Sequence, residues 1–198
     1  LCDFLKNEYG IIVKDVIPAE GKPFSKIYKA KQKELFLSDY ISIETKKLHA
    51  GAQIEQQGTS KEIDDYLSTF NFTSEEAKKL TRVELLKYCG AAILMPYKLF
   101  HLECKKLKYD LELLQNTFAT SFEQVAHRVT CLQEPNLPGI PFHMLRVDIA
   151  GNITKRSSRS GIEIARYGGA CPRWNVYAAF TTPGKIHAAV SKMSNGEK

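Results

Sequence analysis

Three prolines in seven residues, PNLPGIP at 135–141, divide this chain into two regions with different hydrophobic periods. A helix cannot continue through them, because proline lacks the N–H that closes each turn and its ring clashes with the turn before. From 59 to 133 apolar residues recur at helical spacing; after 141 they alternate. Residues 142–149 read as a strand, Ala150-Gly151-Asn152 as a turn and 153–157 as the returning strand of a hairpin. The boundary is therefore expected between 1–134 and 135–198. A chain of 198 residues is one large domain or two small ones, and either can bury a real core.

Before residue 59 the elements are short. Leu1, Phe4 and Leu5 share one face of a helix over 1–9, with Gly10 as its stop. Residues 11–17 form a strand ended by Pro18, and 26–30 and 34–37 are short strands joined by a polar turn, predicting a small antiparallel sheet. A helix starts at Ser38 or Ser42 and runs to about Gln57, before Gly58. Beyond it Thr73-x-x-Glu76, Thr81-x-x-Glu84 and Ser121-x-x-Gln124 are capping-box candidates, and Pro96 suits the first position of a new helix. Residues 175–180 read as a short helix closed by Thr181-Thr182-Pro183-Gly184. The fold class is α+β: a helical region with a small antiparallel sheet, then a C-terminal segment containing a β-hairpin.

Charge is as unevenly distributed as period. Between Phe142 and His187 stand Arg146, Lys155, Arg156, Arg159, Arg166, Arg173 and Lys185 against Asp148 and Glu163, so this stretch carries +5 of the chain's net +6. Gly168-Gly169 lets backbone N–H groups approach a ligand closely, as in an anion nest. Arg166 and Arg173 bracket that turn and can fork onto phosphate oxygens. Tyr167 and Trp174 can stack on a base or form pocket walls. Lys155 and Arg156 are adjacent and point to opposite faces of their strand, so only one can share a pocket from mid-strand. Asp148 lies on the same strand face as Arg146 and can neutralise it. An exposed basic face around a buried Trp fits the composition equally well.

Other chemistries find less support. Residues 111–132 have a helix–turn–helix cadence, but the second helix offers only His127 and Arg128 for base or phosphate contact, which favours a core helical hairpin. His49 has no second His at helical spacing, and His101, Glu103 and Cys104 are too close on one helix to converge on a metal. Cys171 sits in the Gly-rich turn with no His near it to activate it. No catalytic residue and no metal ligand is assigned. The five cysteines are odd in number and never form C-x-x-C, as expected of reduced thiols in the cytoplasm. No apolar run has membrane-spanning length, since 89–95 stops at Pro96. The chain opens on Leu1 without a Met and reads as a piece of a longer protein.

The run FHMLRVDIAGNITKRSSRSGIEIARYGGACPRWNVYAAFTTPGKI is similar to the C-terminal region of the short-chain acyl-CoA-responsive bacterial transcriptional regulators. Upstream, CGAAILMPYKLF and KYDLELLQNTFATSFEQVAHRVTCLQ resemble the metallopeptidase-like ImmA/IrrE domain that those regulators carry. The resemblance covers roughly 1–186. It implies a helical zincin-like domain over 1–134 and a ligand-sensing segment over 135–198. In the peptidases of this superfamily two His and a Glu sit on the helix that here reads KKLHAGAQIEQQG; the matching register puts Ala50, Gly51 and Ile54 in their places. A slip of one residue brings His49 into one of these positions and supplies neither partner. The further acidic ligand falls at Val83, or survives as Glu84. The resemblance thus implies a peptidase fold without its metal, whose groove could hold an acyl group instead.

It also gives the basic stretch a ligand. Coenzyme A carries a 3′-phosphate and a diphosphate, which call for several cations and a nest. The implied effector is a short-chain acyl-CoA such as propionyl-CoA, with no metal cofactor. Its implied contacts are Lys155, Arg156, Arg159, Arg166, Tyr167, Gly168, Gly169, Arg173 and Trp174. The family implies DNA as a partner through an N-terminal helix-turn-helix domain that this chain lacks, a cytoplasmic location, no membrane partner, and a homodimer to match two-fold DNA sites. A zinc peptidase and a direct nucleic-acid binder are the rival readings.

Overall fold

A glycine stops the first helix. In α1 (Cys2–Tyr9), Gly10 takes φ 69° and donates its N–H back to Lys6, a left-handed turn that costs a residue without Cβ little. The computed structural model describes residues 1–158, 175–188 and 190. It divides into two compact units, Leu1–Val125 and Ala126–Lys198.

Three strands follow α1: β1 (Ile12–Val16), β2 (Lys26–Lys29) and β3 (Glu34–Ser38), with β3 in the middle. β2 and β3 form the expected antiparallel hairpin, but β1 joins β3 in parallel, Ile12 opposite Glu34 and Val16 opposite Ser38. The sheet is mixed rather than purely antiparallel, because β2 is itself the return leg that brings β3 back alongside β1 in the same direction. Alternation along β3 puts Leu35 and Leu37 into the core and Phe36 on the other face, where the Lys29 ammonium sits 4.7 Å from its ring centroid.

The helix α2 (Ile43–Gly58) begins at Ser42, whose hydroxyl accepts from the Thr45 N–H at 3.3 Å. Ser38, the other candidate start, is buried at the end of β3. Four consecutive residues of α2, Ala50, Gly51, Ala52 and Gln53, are buried, so the helix is enclosed all round at this turn. Ala50 packs with Leu5, Ile11, Leu35 and Leu37 on the sheet side. Ala52 packs with Ile63, Leu67 and Leu86 from α3 (Ser60–Ser68) and α4 (Glu75–Leu94). Between them Gly51 meets Gly90 of α4, where a Cβ on Gly51 would stand 2.9 Å from the Gly90 carbonyl oxygen and one on Gly90 only 2.5 Å from the Ala52 nitrogen.

Helix starts are where sequence and structure differ. α4 is capped by Ser74, which accepts from the Ala77 N–H at 3.1 Å, and not by Thr73. Thr81 starts nothing: it lies inside α4 and donates to the Ala77 carbonyl at 2.8 Å, the back-bond open to a Thr in mid-helix. Ser121 and Gln124 do form a reciprocal box at the start of α7 (Phe122–Thr130), the Ser121 N–H on Gln124 Oε1 at 3.0 Å and the Gln124 N–H on Ser121 Oγ at 3.2 Å. Pro96 is the cap of α5 (Tyr97–Lys106) rather than its first residue. Asp110 caps α6 (Leu111–Phe118), and Ala119 ends it with φ 48°. The Ala119 carbonyl accepts from Lys47 Nζ at 3.1 Å and Gln124 Nε2 donates to the Glu44 carbonyl at 3.1 Å, so both ends of the α6–α7 turn are tied to α2.

In the second unit β4 (His143–Val147) and β5 (Ile153–Ser158) form the expected antiparallel hairpin. Asp148 closes its turn by accepting from the Asn152 backbone N–H at 2.8 Å and side-chain amide at 2.9 Å. Gly151 takes φ 87°, and a Cβ there would meet the Tyr177 hydroxyl at 3.1 Å. A 3-10 turn, Asn175–Tyr177, leads into α8 (Ala178–Thr181).

Gly90→Ala drives a methyl into the α2 backbone. The better helix propensity of Ala, worth about 1 kcal/mol, is outweighed by overpacking that typically costs about 1–3 kcal/mol. Chemical denaturation of the variant is expected to show a clear net loss of stability, whereas Gly21→Ala, with nothing within 4 Å of its Cβ, shows only the smaller cost of a residue at positive φ.

Candidate functional site

The turn of α2 that the resemblance aligns with the metal-binding helix of the peptidases is core. Ala50 faces the sheet cluster and half-buried Ile54 packs beside it. Gly51, in the place of the glutamate, is closed off by the backbone of Gly90. No side chain longer than hydrogen fits there without parting α2 from α4. Among the described residues no three His, Cys, Asp or Glu side chains converge on a point where a metal could bind. At this turn Ala50, Gly51 and Ile54 offer no ligand to zinc.

What does gather at this turn is positive charge around an amide. His49 and Gln53 are one helical turn apart on α2, so they share a face. Lys26, on the edge strand β2, donates to Gln53 Oε1 at 3.3 Å. Lys87 lies on α4 one turn before Gly90. His49 is half-buried, and its imidazole is pushed down to about 4, first by burial and then by the charges of Lys26 and Lys87. It is neutral at pH 7. Burial and Lys87 also lower the Lys26 ammonium. Sequence reasoning placed only His49 here. Gln53 carried a weak signal, a polar residue four after His49 that follows the small residues Ala50, Gly51 and Ala52.

The basic stretch is described in part. In the hairpin Lys155 lies opposite Arg146 and Arg156 opposite Leu145. Lys155 is half-buried and Arg156 exposed, and as successive strand residues they point to opposite faces. Arg146 Nε donates to Thr154 Oγ1 at 2.9 Å, while the Asp148 carboxylate accepts from Asn152, which holds its carboxyl below the usual range. Arg159, Arg166, Tyr167, Gly168, Gly169, Cys171, Arg173 and Trp174 lie outside the described residues. His101 and Cys104 are buried core residues of α5, the His ring stacked on Tyr97 with centroids 6.5 Å apart. Burial pushes the Cys104 thiol up to about 12, the reverse of what a nucleophile needs. No helix among the described residues is long and apolar enough to cross a membrane.

Residues 16–130 match the family described as the IrrE N-terminal-like domain, and residues 131–198 match the C-terminal region of the short-chain fatty acyl coenzyme A regulators. The HTH-type transcriptional regulator PrpR of Mycobacterium tuberculosis is 34% identical over 198 residues, 99% of this chain and 40% of that protein. RamB of the same organism, also named an HTH-type transcriptional regulator, is 42% identical over 134 residues, 68% of this chain and 28% of that protein. A propionyl-CoA carboxylase regulator of Cereibacter sphaeroides is 42% identical over 130 residues, 66% of this chain and 28% of that protein. A solved Mycobacterium tuberculosis transcriptional regulator superposes with a TM-score of 0.88 at 33% identity, covering 98% of this chain and 59% of that one. The chain thus spans 28–40% of these curated relatives' lengths. All are named for regulation and not for catalysis.

The depressed His49 has a signature in stability. Its folded value, about 4, lies below the ordinary 6.5, so between those values the unfolded chain binds a proton that the folded chain does not. Stability therefore falls as pH drops through that window. A urea series from about pH 7 to pH 4.5 should lose stability less steeply in His49→Asn than in the parent; parallel slopes would show that His49 is not held neutral.

Proposed function

The chain belongs to the IrrE N-terminal-like domain family and, through the region that follows, to the short-chain fatty acyl coenzyme A regulators, and on that premise we propose that it is the effector-sensing part of a transcriptional regulator whose ligand is a short-chain acyl-CoA. The observation that carries the reading is a coincidence of place. The region matching the regulator family begins at 131 and contains the stretch that holds +5 of the chain's net +6. A coenzyme A nucleotide with three phosphate groups is the kind of anion such a stretch suits.

In this reading Lys155, Arg156, Arg159, Arg166 and Arg173 supply the phosphate contacts. The Gly168-Gly169 backbone forms the nest, and Tyr167 and Trp174 stack or wall the pocket. Because Lys155 and Arg156 face opposite ways in mid-strand, the larger share of phosphate binding falls to Arg166 and Arg173. The ligand acts by binding one conformation more tightly than another, which shifts DNA affinity. DNA is held by a helix-turn-helix domain elsewhere in the protein, as the HTH-type names of the longer relatives suggest. The regulator works in the cytoplasm as a homodimer. The helix where a peptidase needs its metal ligands offers Ala50, Gly51 and Ile54, which argues against the zinc reading; stoichiometric zinc in the purified protein would restore it.

A thermal-shift panel of acetyl-, propionyl- and butyryl-CoA with free CoA tests this. A ligand at 100 times its Kd stabilises by about 2.7 kcal/mol, and no shift with any of the four removes the assignment. Arg166→Met and Arg173→Met should each weaken binding by roughly 10- to 100-fold, the range of a lost charge-assisted hydrogen bond. Unchanged affinity in both moves the phosphates elsewhere.

A further inference from the structure

The first unit contains a polar cluster that the acyl-CoA reading does not use. The Gln53 side chain is wholly buried, at 0% exposure. Its orientation is fixed by chemistry, because Lys26 can only donate and so must meet the amide oxygen. That leaves the Gln53 NH2 group buried with no hydrogen-bond partner among the described residues, a state that costs about 1–3 kcal/mol. Like charge adds to it. Lys26 and Lys87 both bear on His49. Among the described residues the one carboxylate paired with either lysine is exposed Glu84, 2.6 Å from Lys87. One small anion would relieve both costs, since it would accept from the stranded amide and offset the lysine charges that bear on His49.

We propose that Lys26, Gln53 and Lys87 form a binding site for a single oxyanion group, a carboxylate or a phosphate, at the turn of α2 where a peptidase would hold its metal. The two lysines supply the positive charge that a metal would have brought, and Gln53 supplies the directional donor. His49 borders the site as a neutral ring and reports on it: an anion there offsets the lysine charges and makes its protonation easier. The site lies on α2, α4 and the edge strand, and it stands whether or not the basic stretch of the second unit binds acyl-CoA.

The test is an NMR titration of the His49 imidazole in the 198-residue chain, assigned with His49→Asn. It is run in sodium chloride, inorganic phosphate and sodium propionate at equal ionic strength. An opposite charge a few ångströms away moves such a group by about one unit or more. An upward shift of the His49 midpoint in phosphate or in propionate, relative to chloride, is expected, and the stronger arm names the group. Lys87→Met and Gln53→Leu should abolish that shift, and Gln53→Leu should raise the unliganded melting temperature by removing the stranded amide. A midpoint that is the same in all three salts overturns the proposal. So does an equal shift in both variants, which would assign the anion to another place, such as the basic stretch.

Discussion

The approach of Gly51 to Gly90 is the contact on which the first unit depends. Helices normally keep their backbones apart by the width of two side chains; here α2 and α4 touch through their main chains. That closeness lets one turn of α2 serve two cores at once, Ala50 toward the sheet and Ala52 toward α3 and α4. It also fixes the chemistry. A peptidase of this shape needs a long carboxylate near that crossing, and a crossing this tight leaves no room for one.

Much of this was legible in the chain, and the failures have physical causes. Element order followed from period, and the Ser121–Gln124 box from spacing alone, because both partners of a local motif lie within one turn. Thr81 misled for the same reason. Its spacing to Glu84 fits a box, but a Thr inside a continuous helix satisfies its hydroxyl on the carbonyl one turn back. The parallel pairing of β1 with β3 was beyond reach, since strand direction depends on where the intervening β2 turns, and two short strands carry no mark of that. The grouping of Lys26, Gln53 and Lys87 was not legible, because they are 27 and 34 residues apart in sequence and are brought toward one another only through the fold.

Charge is used differently in the two units. In the hairpin, Arg146 and Lys155 stand opposite each other at a surface, where water and salt weaken mutual repulsion. At α2, burial first and then the charges of Lys26 and Lys87 depress the neighbouring His49. The first arrangement is a field that attracts anions over a distance; the second discriminates at close range, because a buried amide accepts only a partner that can bond to it.

Cys104 has a consequence for how the helical part of the first unit can be followed in time. It is fully buried on α5, and its thiol is pushed up to about 12, so almost none of it is thiolate at neutral pH. Alkylating reagents and peroxide act on thiolate. While α5 is packed, this sulfur is therefore chemically silent, and it becomes ordinary the moment the helix opens. With a reagent that reacts faster than the helix recloses, the rate at which it is modified is a clock for local opening, set by how often the core breathes.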